Sequence, residues 1–451
     1  MHVSDKSSPG ALPSNPLAAT WPLLLGMGIL MLGAGLQSTE ISLRGTLEGF
    51  SAAVTGAVMS SYYLGYLLGT SAAPRLVRRV GHIRVFAALA AVAAAAILLQ
   101  GLFIEPVSWA LLRGVSGMCF AGIYVVAESW LNDRAGRLNR GRLLALYMAI
   151  LYIGLGSSQF LLIPADPRTT SPFMLVALLI CLAIVPIMVS ANSAPEIAWP
   201  RKVGYRELFR DSPLGIVGVT VAGMVSSNIY SLGPVYARLR GFDTSQVAGF
   251  MGISILAAVT FQYPIGRLSD RLDRRTIIVG VCVVAALSAS ALTTLPELPR
   301  AVFLALTAVF SGFAFTIYSL SVSHVNDHLE PVQLVAASGA LIRLNGLGAA
   351  VSPVLVGVLM SGFGPRVFFC ALASLTGALA TYGLWRKARR RPVPTGHKRP
   401  FIGLESRPVT ATRSSPSGAE GGGASGARDA QALEAMDPRA ALAPPEERHG
   451  E

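Results

Sequence analysis

Charge is what this chain has least of. Only 14% of its 451 residues are Asp, Glu, Lys or Arg, against about 25% in soluble globular proteins. That shortage excludes an ordinary water-soluble chain of this length and points to a protein that crosses a membrane many times. Cysteine is scarce as well. Cys119, Cys181, Cys282 and Cys370 stand far apart in apolar stretches, with neither paired nor metal-ligand spacing. A disulfide framework is thereby excluded, and four buried thiols are expected. The chain has no P-loop, no H-E-x-x-H and no G-x-S-x-G, so neither an ATP-driven pump nor a membrane hydrolase is supported. GLGSSQ and GLGAAV lack the last glycine of a dinucleotide fingerprint and read as close-packing glycines of apolar helices. His324 and His328 are spaced i, i+4, but no third ligand stands beyond Asp327. No metal, no cofactor and no enzyme activity are therefore expected. Residues 1–20 are polar and rich in Pro and Ser, which does not match a removable signal peptide.

What the chain does have is apolar length. Hydrophobic residues make up 52% of it, with a mean hydropathy of +0.55. A hydrocarbon layer of about 30 Å takes roughly 17–25 apolar residues per helix. On that measure twelve spans are predicted, near 22–42, 52–73, 84–103, 107–129, 143–163, 172–190, 213–236, 246–265, 276–295, 300–323, 334–360 and 365–385. Arginine sets their direction. The loop after the second span holds Arg75, Arg78, Arg79 and Arg84, and the loop after the fourth holds Arg134, Arg137, Arg140 and Arg142. Further clusters are Arg201, Lys202, Arg206 and Arg210, then Arg267, Arg271, Arg274 and Arg275, then Arg386 to Arg391. All fall on one side, which places both termini in the cytoplasm. The net charge of +13 is accounted for as a topology signal, and no nucleic-acid partner is expected. Past residue 387 the sequence turns to RPVPTGHKRP and SSPSGAEGGGASGARDAQ, read as a disordered cytoplasmic tail over 387–451.

The chain also repeats itself. Ile123, Tyr124, Asn132 and Asp133 recur as Ile317, Tyr318, Asn326 and Asp327, each 194 positions on. VTGAVM (54–59) recurs as VAGFMG at an offset of 193, and IGLG (153–156) as NGLG at 192. The predicted fold is thus an all-α polytopic membrane protein of twelve transmembrane helices in two pseudo-symmetric six-helix bundles. Its parts are a cytoplasmic segment 1–20, bundles at 21–190 and 213–386, a cytoplasmic connector 191–212, and the tail. At the same offset PRLVRRVGHI (74–83) meets GRLSDRLDRR (266–275).

The second copy has the form G-x-x-x-D-R-x-x-R-R, carried by Gly266, Asp270, Arg271, Arg274 and Arg275. It resembles the signature loop of the major facilitator superfamily, in which such a cluster clamps the cytoplasmic side closed. The first copy departs from it, with Pro74 for Gly and Arg78 for Asp, which leaves the role of Arg78 and Arg79 open. SSYYLGYLLGT (60–70), VVAESWLNDRAGRLNRGRLLALYM (125–148), YPIGRLSDR (263–271) and FTIYSLSVSHVNDHL (315–329) are similar to the YcaD-like branch of that superfamily. The resemblance implies a secondary active transporter, moving a small solute across the bacterial inner membrane by alternating access. It implies proton coupling too, because L-L-R-G-V-S-G (111–117) resembles the superfamily's fourth-span arginine motif. The superfamily's antiporter signature is not matched by YIGLGSSQFLLIP.

Polar residues inside the spans mark the candidate site, since an ionisable group at the bilayer centre costs about 2.5–3.5 kcal/mol and turns to a cavity or a partner. Arg113, Gly117, Tyr124 and Glu128 fall within about 60° of arc on one helix face. Glu128 has two readings: a protonation site, whose neutral form a low dielectric favours, or a cap near Asn132. Arg113 is either a coupling residue or a partner for helix ends, and Glu40 joins both as a proton-coupling candidate. Gln37, Tyr62, Tyr63, Tyr124, Tyr152, Gln159, Asn228, Tyr230, Tyr318, Arg343 and Asn345 are candidate cavity liners, with packing as the rival role of the aromatics. Arg343 has Leu151 at its matched position. It either meets an anionic substrate group or pairs with Glu128 or Glu40. The expected partners are a small solute, protons and the lipid bilayer, and the expected state is a monomer. A rival class is a membrane sensor of the same fold with the tail as its output.

Overall fold

The structure, a computed structural model, describes residues 16–134, 136–189, 205–295, 298–330 and 333–389. The N-terminal segment up to residue 15, Arg201, Lys202, the tail from 390 onward and the arginine side chains of 134–142 lie outside what is described. The described residues hold thirteen α-helices and no strand. They are α1 (Pro16–Leu47), α2 (Ala52–Val80), α3 (His82–Leu102), α4 (Pro106–Arg134), α5 (Gly136–Ser157) and α6 (Ser171–Val189). After the short α7 (Tyr205–Asp211) come α8 (Pro213–Leu239), α9 (Thr244–Arg271), α10 (Arg274–Thr294), α11 (Arg300–Asn326), α12 (Leu334–Phe363) and α13 (Val367–Arg389). Helix is the state that satisfies every backbone N–H and C=O within its own segment, as a lipid solvent demands.

Among the described residues eleven helices are long and apolar enough to cross a membrane. The predicted second span is the exception. α2 has 29 residues but carries Ser60, Ser61, Tyr62, Tyr63, Tyr66, Thr70 and Ser71. Its buried side, from Ala52 to Val77, packs against α4 and α12. Protein, not lipid, solvates that side, so less apolarity is needed. The same rule orders the other helices. α1 and α8 have mean hydropathies of only 1.4 and 1.3 and are the most enclosed; α6, at 2.8, leaves Met174, Leu178, Leu182 and Val185 exposed for lipid. Two of the cysteines follow it: Cys119 and Cys282 are buried as expected, whereas Cys181 of α6 and Cys370 of α13 are exposed on such outward faces.

Two elements differ in extent from the sequence-based expectation. α2 continues past residue 73 to Val80, so Arg78 and Arg79 stand in its last helical turn rather than in a loop. The predicted span 143–163 is broken: α5 stops at Ser157 and a 3-10 turn, Ser158–Leu162, follows. Ser158 Oγ and Gln159 Nε2 donate to the Leu155 carbonyl at 2.6 and 3.1 Å. With that acceptor taken by side chains, the regular ladder is disturbed.

The repeat reaches the level of single rings. Gly49 and Gly241 both adopt positive φ, +84° and +85°, in the turns before α2 and α9. Each is followed by Phe and then by a cap: Ser51 accepts from Val54 N at 3.2 Å, and Asp243 from Gln246 N at 2.8 Å. Phe50 meets Trp109, which meets Phe173, at ring separations of 5.3 and 6.1 Å. Phe242, Phe303 and Phe369 repeat the chain at 5.6 and 6.5 Å.

Candidate functional site

The α2–α3, α4–α5 and α9–α10 junctions and the last turn of α13 share the arginine-rich end of the molecule; the Gly49 and Gly241 turns mark the arginine-poor end. Between them the predicted face of α4 is buried, with Arg113, Tyr124 and Glu128 at most 4% exposed. The Arg113 guanidinium lies 4.6 Å from the Tyr62 ring centroid and its Nη2 is 3.5 Å from Ser38 Oγ. Tyr62 continues into a ring cluster with Tyr63, Tyr66 and Phe120 at 5.4 to 6.3 Å, and Tyr66 reaches Tyr124 at 6.3 Å. Tyr124 donates its hydroxyl to Met31 Sδ at 3.3 Å.

Glu128 sits inside α4, which runs on to Arg134, so it is not a terminal cap. Its charge acts on the Tyr66 and Tyr318 hydroxyls, which come from α2 and α11. Neither hydroxyl has a hydrogen-bond partner among the described residues. Arg113 and Glu128 share a face yet not a location, since at about 1.5 Å per residue they stand roughly 22 Å apart along the helix. Glu40 of α1 is fully buried, and neither carboxylate oxygen has a hydrogen-bond partner among the described residues. Arg44, one turn on, pairs with Glu48 at 2.6 Å and donates to the Pro167 carbonyl at 3.0 Å.

The predicted amides are buried and knit helices together. Thr39 Oγ1 donates to Gln159 Oε1 at 2.6 Å, and Gln37 Nε2 lies 3.4 Å from Ser116 Oγ. Asn228 Nδ2 donates to Ser352 Oγ at 2.7 Å, and Asn345 Nδ2 to the Val219 carbonyl at 3.0 Å. Tyr152 and Tyr230 are buried as well, the latter against Phe315 at 5.4 Å. Arg343 is placed differently, exposed on α12. The candidates thus form several polar nodes rather than one pocket. The sequence reading missed Tyr66, Ser38 and Ser116. Tyr66 was within reach, since it follows Tyr62 by four residues and so shares its helix face.

At the arginine-rich end, Arg274 is buried at the start of α10. It donates to the Ser323 carbonyl at 2.9 Å, to Asp327 Oδ2 at 2.7 Å and to Asp270 Oδ1 at 3.0 Å. This is an arginine at the C-terminus of α11, where the helix dipole favours a cation. Gly266 and Arg275 are buried, whereas Asp270, Arg271, Arg78 and Arg79 are exposed. His328 and His324 are neighbours, with ring centroids 4.7 Å apart, and no group of three potential metal ligands occurs among the described residues.

At the arginine-poor end three hydrogen bonds join helices from the two halves of the sequence. Ser38 Oγ donates to the Tyr230 carbonyl at 3.1 Å and Ser42 Oγ to the Ser231 carbonyl at 2.7 Å, both from α1 to α8. Ala53 N donates to Ser361 Oγ at 3.0 Å, from α2 to α12. A Cβ on Gly56 would strike the Pro353 carbonyl, and one on Gly357 the Ala52 carbonyl, so α2 and α12 touch backbone to backbone.

A multi-pass helical protein with buried polar nodes and a charge cluster at one end has the build of a membrane transporter. The chain belongs to the Major Facilitator Superfamily, whose family model matches residues 23–341. An uncharacterized MFS-type transporter of Enterobacter sp. (strain 638) is 30% identical over 379 residues, covering 83% of this chain and 97% of its own. The uncharacterized MFS-type transporter YcaD of Escherichia coli O139:H28 is 29% identical over 377 residues, with the same coverage. Among solved structures, a variant of the nucleoside transporter NupG superposes with a TM-score of 0.73 at 13% identity, over 82% of this chain and 100% of that one. A bacterial homolog of the human lysosomal transporter Spinster, in an inward-facing and occupied conformation, gives 0.67 at 14% identity, over 86% and 99%. The chain is therefore a membrane transporter by family, and not an enzyme.

Proposed function

We propose that the chain is a proton-coupled secondary transporter of a small solute in the bacterial inner membrane. In this reading α2 is the twelfth span and residues 21–190 and 213–386 form two pseudo-symmetric six-helix bundles joined by 191–212. The repeated Gly-Phe turns and ring chains support the duplication, since two copies of one unit reproduce the same contacts at matched places. Positive charge on the arginine-rich end supports its being cytoplasmic.

The observation that carries the proposal is where the bundles touch. The α1–α8 and α2–α12 bonds all lie at the arginine-poor end, while the bonds of Arg274 stay within the second bundle. This is the arrangement of a state sealed toward the outside. When the outer seal opens, Gly266, Asp270, Arg271, Arg274 and Arg275, with Arg78 and Arg79 opposite, close the inner face. Solute enters between the bundles, past Tyr62, Tyr124, Tyr318, Asn228 and Asn345, with Gln37, Tyr152, Gln159 and Tyr230 behind them. Glu128 carries the proton, and Arg113 and Glu40 are the further coupling groups. Arg343, exposed on α12, offers a cation to a solute on the inner side. The transporter works as a monomer.

Distance measurement between spin labels tests this without knowledge of the solute. One pair, at Ala53→Cys and Ser361→Cys, reports the outer end; another, at Val80→Cys and Leu272→Cys, reports the inner end, each with the four native cysteines replaced. Two populations are expected at each end, with the inner pair short when the outer pair is long. One unchanging distance at both ends would overturn alternating access.

A further inference from the structure

At the arginine-rich end a small cleft opens where α7 passes into α8. Its walls include Asp211, Ser212, Arg275, His324, His328 and Arg386. Inside, it has room for little more than a water or two, so it suits part of a ligand rather than a transported solute. Two of its polar atoms have nothing to bind. Ser212 is 2% exposed, and its Oγ has no hydrogen-bond partner among the described residues. Arg386 Nη2 is buried and likewise has no partner among them.

Ser212 precedes Pro213, the first residue of the 27-residue α8, and makes no capping bond to it. A helix start gathers partial positive charge and spare N–H donors. Arg275, 6% exposed, adds a second guanidinium from the first turn of α10. Asp211, the carboxylate of the lining, is bonded by Arg210 Nε at 3.3 Å. A hydroxyl, two guanidiniums and a helix start thus converge from three helices. For Ser212 Oγ and Arg386 Nη2, the two atoms without a partner among the described residues, a group with several acceptor oxygens and a negative charge would serve both. Guanidinium with a helix start matches a phosphoryl group in both geometry and charge.

We propose that this cleft binds a phosphoryl oxyanion, supplied by the headgroup of an anionic phospholipid or by free phosphate. The position suits a headgroup: Trp385, 46% exposed beside Arg386, presents its ring where tryptophan marks the edge of the membrane. A bound phosphoryl group would tie the α7–α8 junction to α10 and α13, next to the Arg274 cluster. This site does not depend on which solute crosses the membrane, nor on whether protons do.

The test is the thermal stability of the purified full chain in a maltoside detergent. It is titrated with inorganic phosphate against chloride at constant ionic strength, and separately with phosphatidylglycerol. A saturable rise in Tm is expected. Arg386→Gln and Ser212→Ala should each weaken it about tenfold, the loss expected for a charge-assisted or buried hydrogen bond. Arg389→Gln, which removes a guanidinium that lies over the Trp385 ring and is not part of the cleft lining, should leave it unchanged. A rise with phosphate assigns a free oxyanion; a rise with phosphatidylglycerol alone assigns the lipid. Ser212→Ala deletes one oxygen and carries the test even if Arg386→Gln folds poorly. No saturable rise with either probe, or equal affinity in the variants and the parent chain, would overturn the site.

Discussion

Glu128 and Glu40 are both carboxylates within apolar helices, and their surroundings divide their roles. Glu128 acts on two tyrosine hydroxyls carried by α2 and α11, so a change in its charge is felt on two other helices. Glu40 has no hydrogen-bond donor on either oxygen among the described residues, and an ion so placed costs several kcal/mol. For Glu128→Gln, lost proton dependence is expected while solute binding is retained. Superimposable pH profiles of transport for variant and parent would remove Glu128 from the coupling mechanism.

Among the elements, the turns before α2 and α9 and the start of α4 are open to direct tests. Gly49 and Gly241 hold nearly the same positive φ, where a side chain costs about 1–2 kcal/mol. Gly49→Ala and Gly241→Ala should each lower stability by about that amount, and by similar amounts, because the turns are copies; chemical unfolding of the purified variants would show it. At α4, Glu105 accepts from Ser108 N at 2.7 Å and Val107 N at 3.0 Å. These backbone bonds, Ser108's foremost, hold its carboxyl below the ordinary value of 4.5. The ionised form is thus the one the folded state prefers. Its contribution is present above pH 4.5 and is lost as the pH falls through the depressed value. Glu105→Gln should therefore be less stable than the parent chain near neutrality and converge with it in acid, as melting curves across pH would record; a constant difference would refute the cap.

For the whole molecule the question raised by the proposed function is how two bundles would change contact without unfolding. The outer seal rests on close backbone approach at Gly56 and Gly357 and on a few hydroxyl bonds, which can be made and broken at small cost. The inner cluster is built otherwise. Arg274 is braced on α11 by Ser323 and Asp327 and also pairs with Asp270, which lies exposed at the end of α9 and, in the proposed cycle, would meet the first bundle when the inner side closes. Asp270→Asn keeps the size of the side chain and removes its charge. Slowed or abolished cycling with normal membrane expression is expected in a transport or label-exchange assay, and an unchanged rate would detach Asp270 from the clamp.

What the sequence determined by itself is whatever depends on solvent and on local spacing. Long apolar runs demand helices in lipid, and the all-helical architecture with many membrane-length spans follows from them, because each run is a property of neighbouring residues. The candidate α4 face was legible for the same reason: Arg113, Tyr124 and Glu128 are separated by about whole numbers of helical turns. Only the tertiary structure decided which polar groups meet. The charge of Glu128 reaches Tyr318 although 190 residues separate them, Arg343 turns out to be exposed, and α5 gives way to a 3-10 turn. Those outcomes depend on the rotation and pairing of helices whose apolar surfaces fit many partners almost equally well. In lipid, where burial of apolar surface hardly discriminates between partners, close glycine contacts and a small number of hydrogen bonds make the choice.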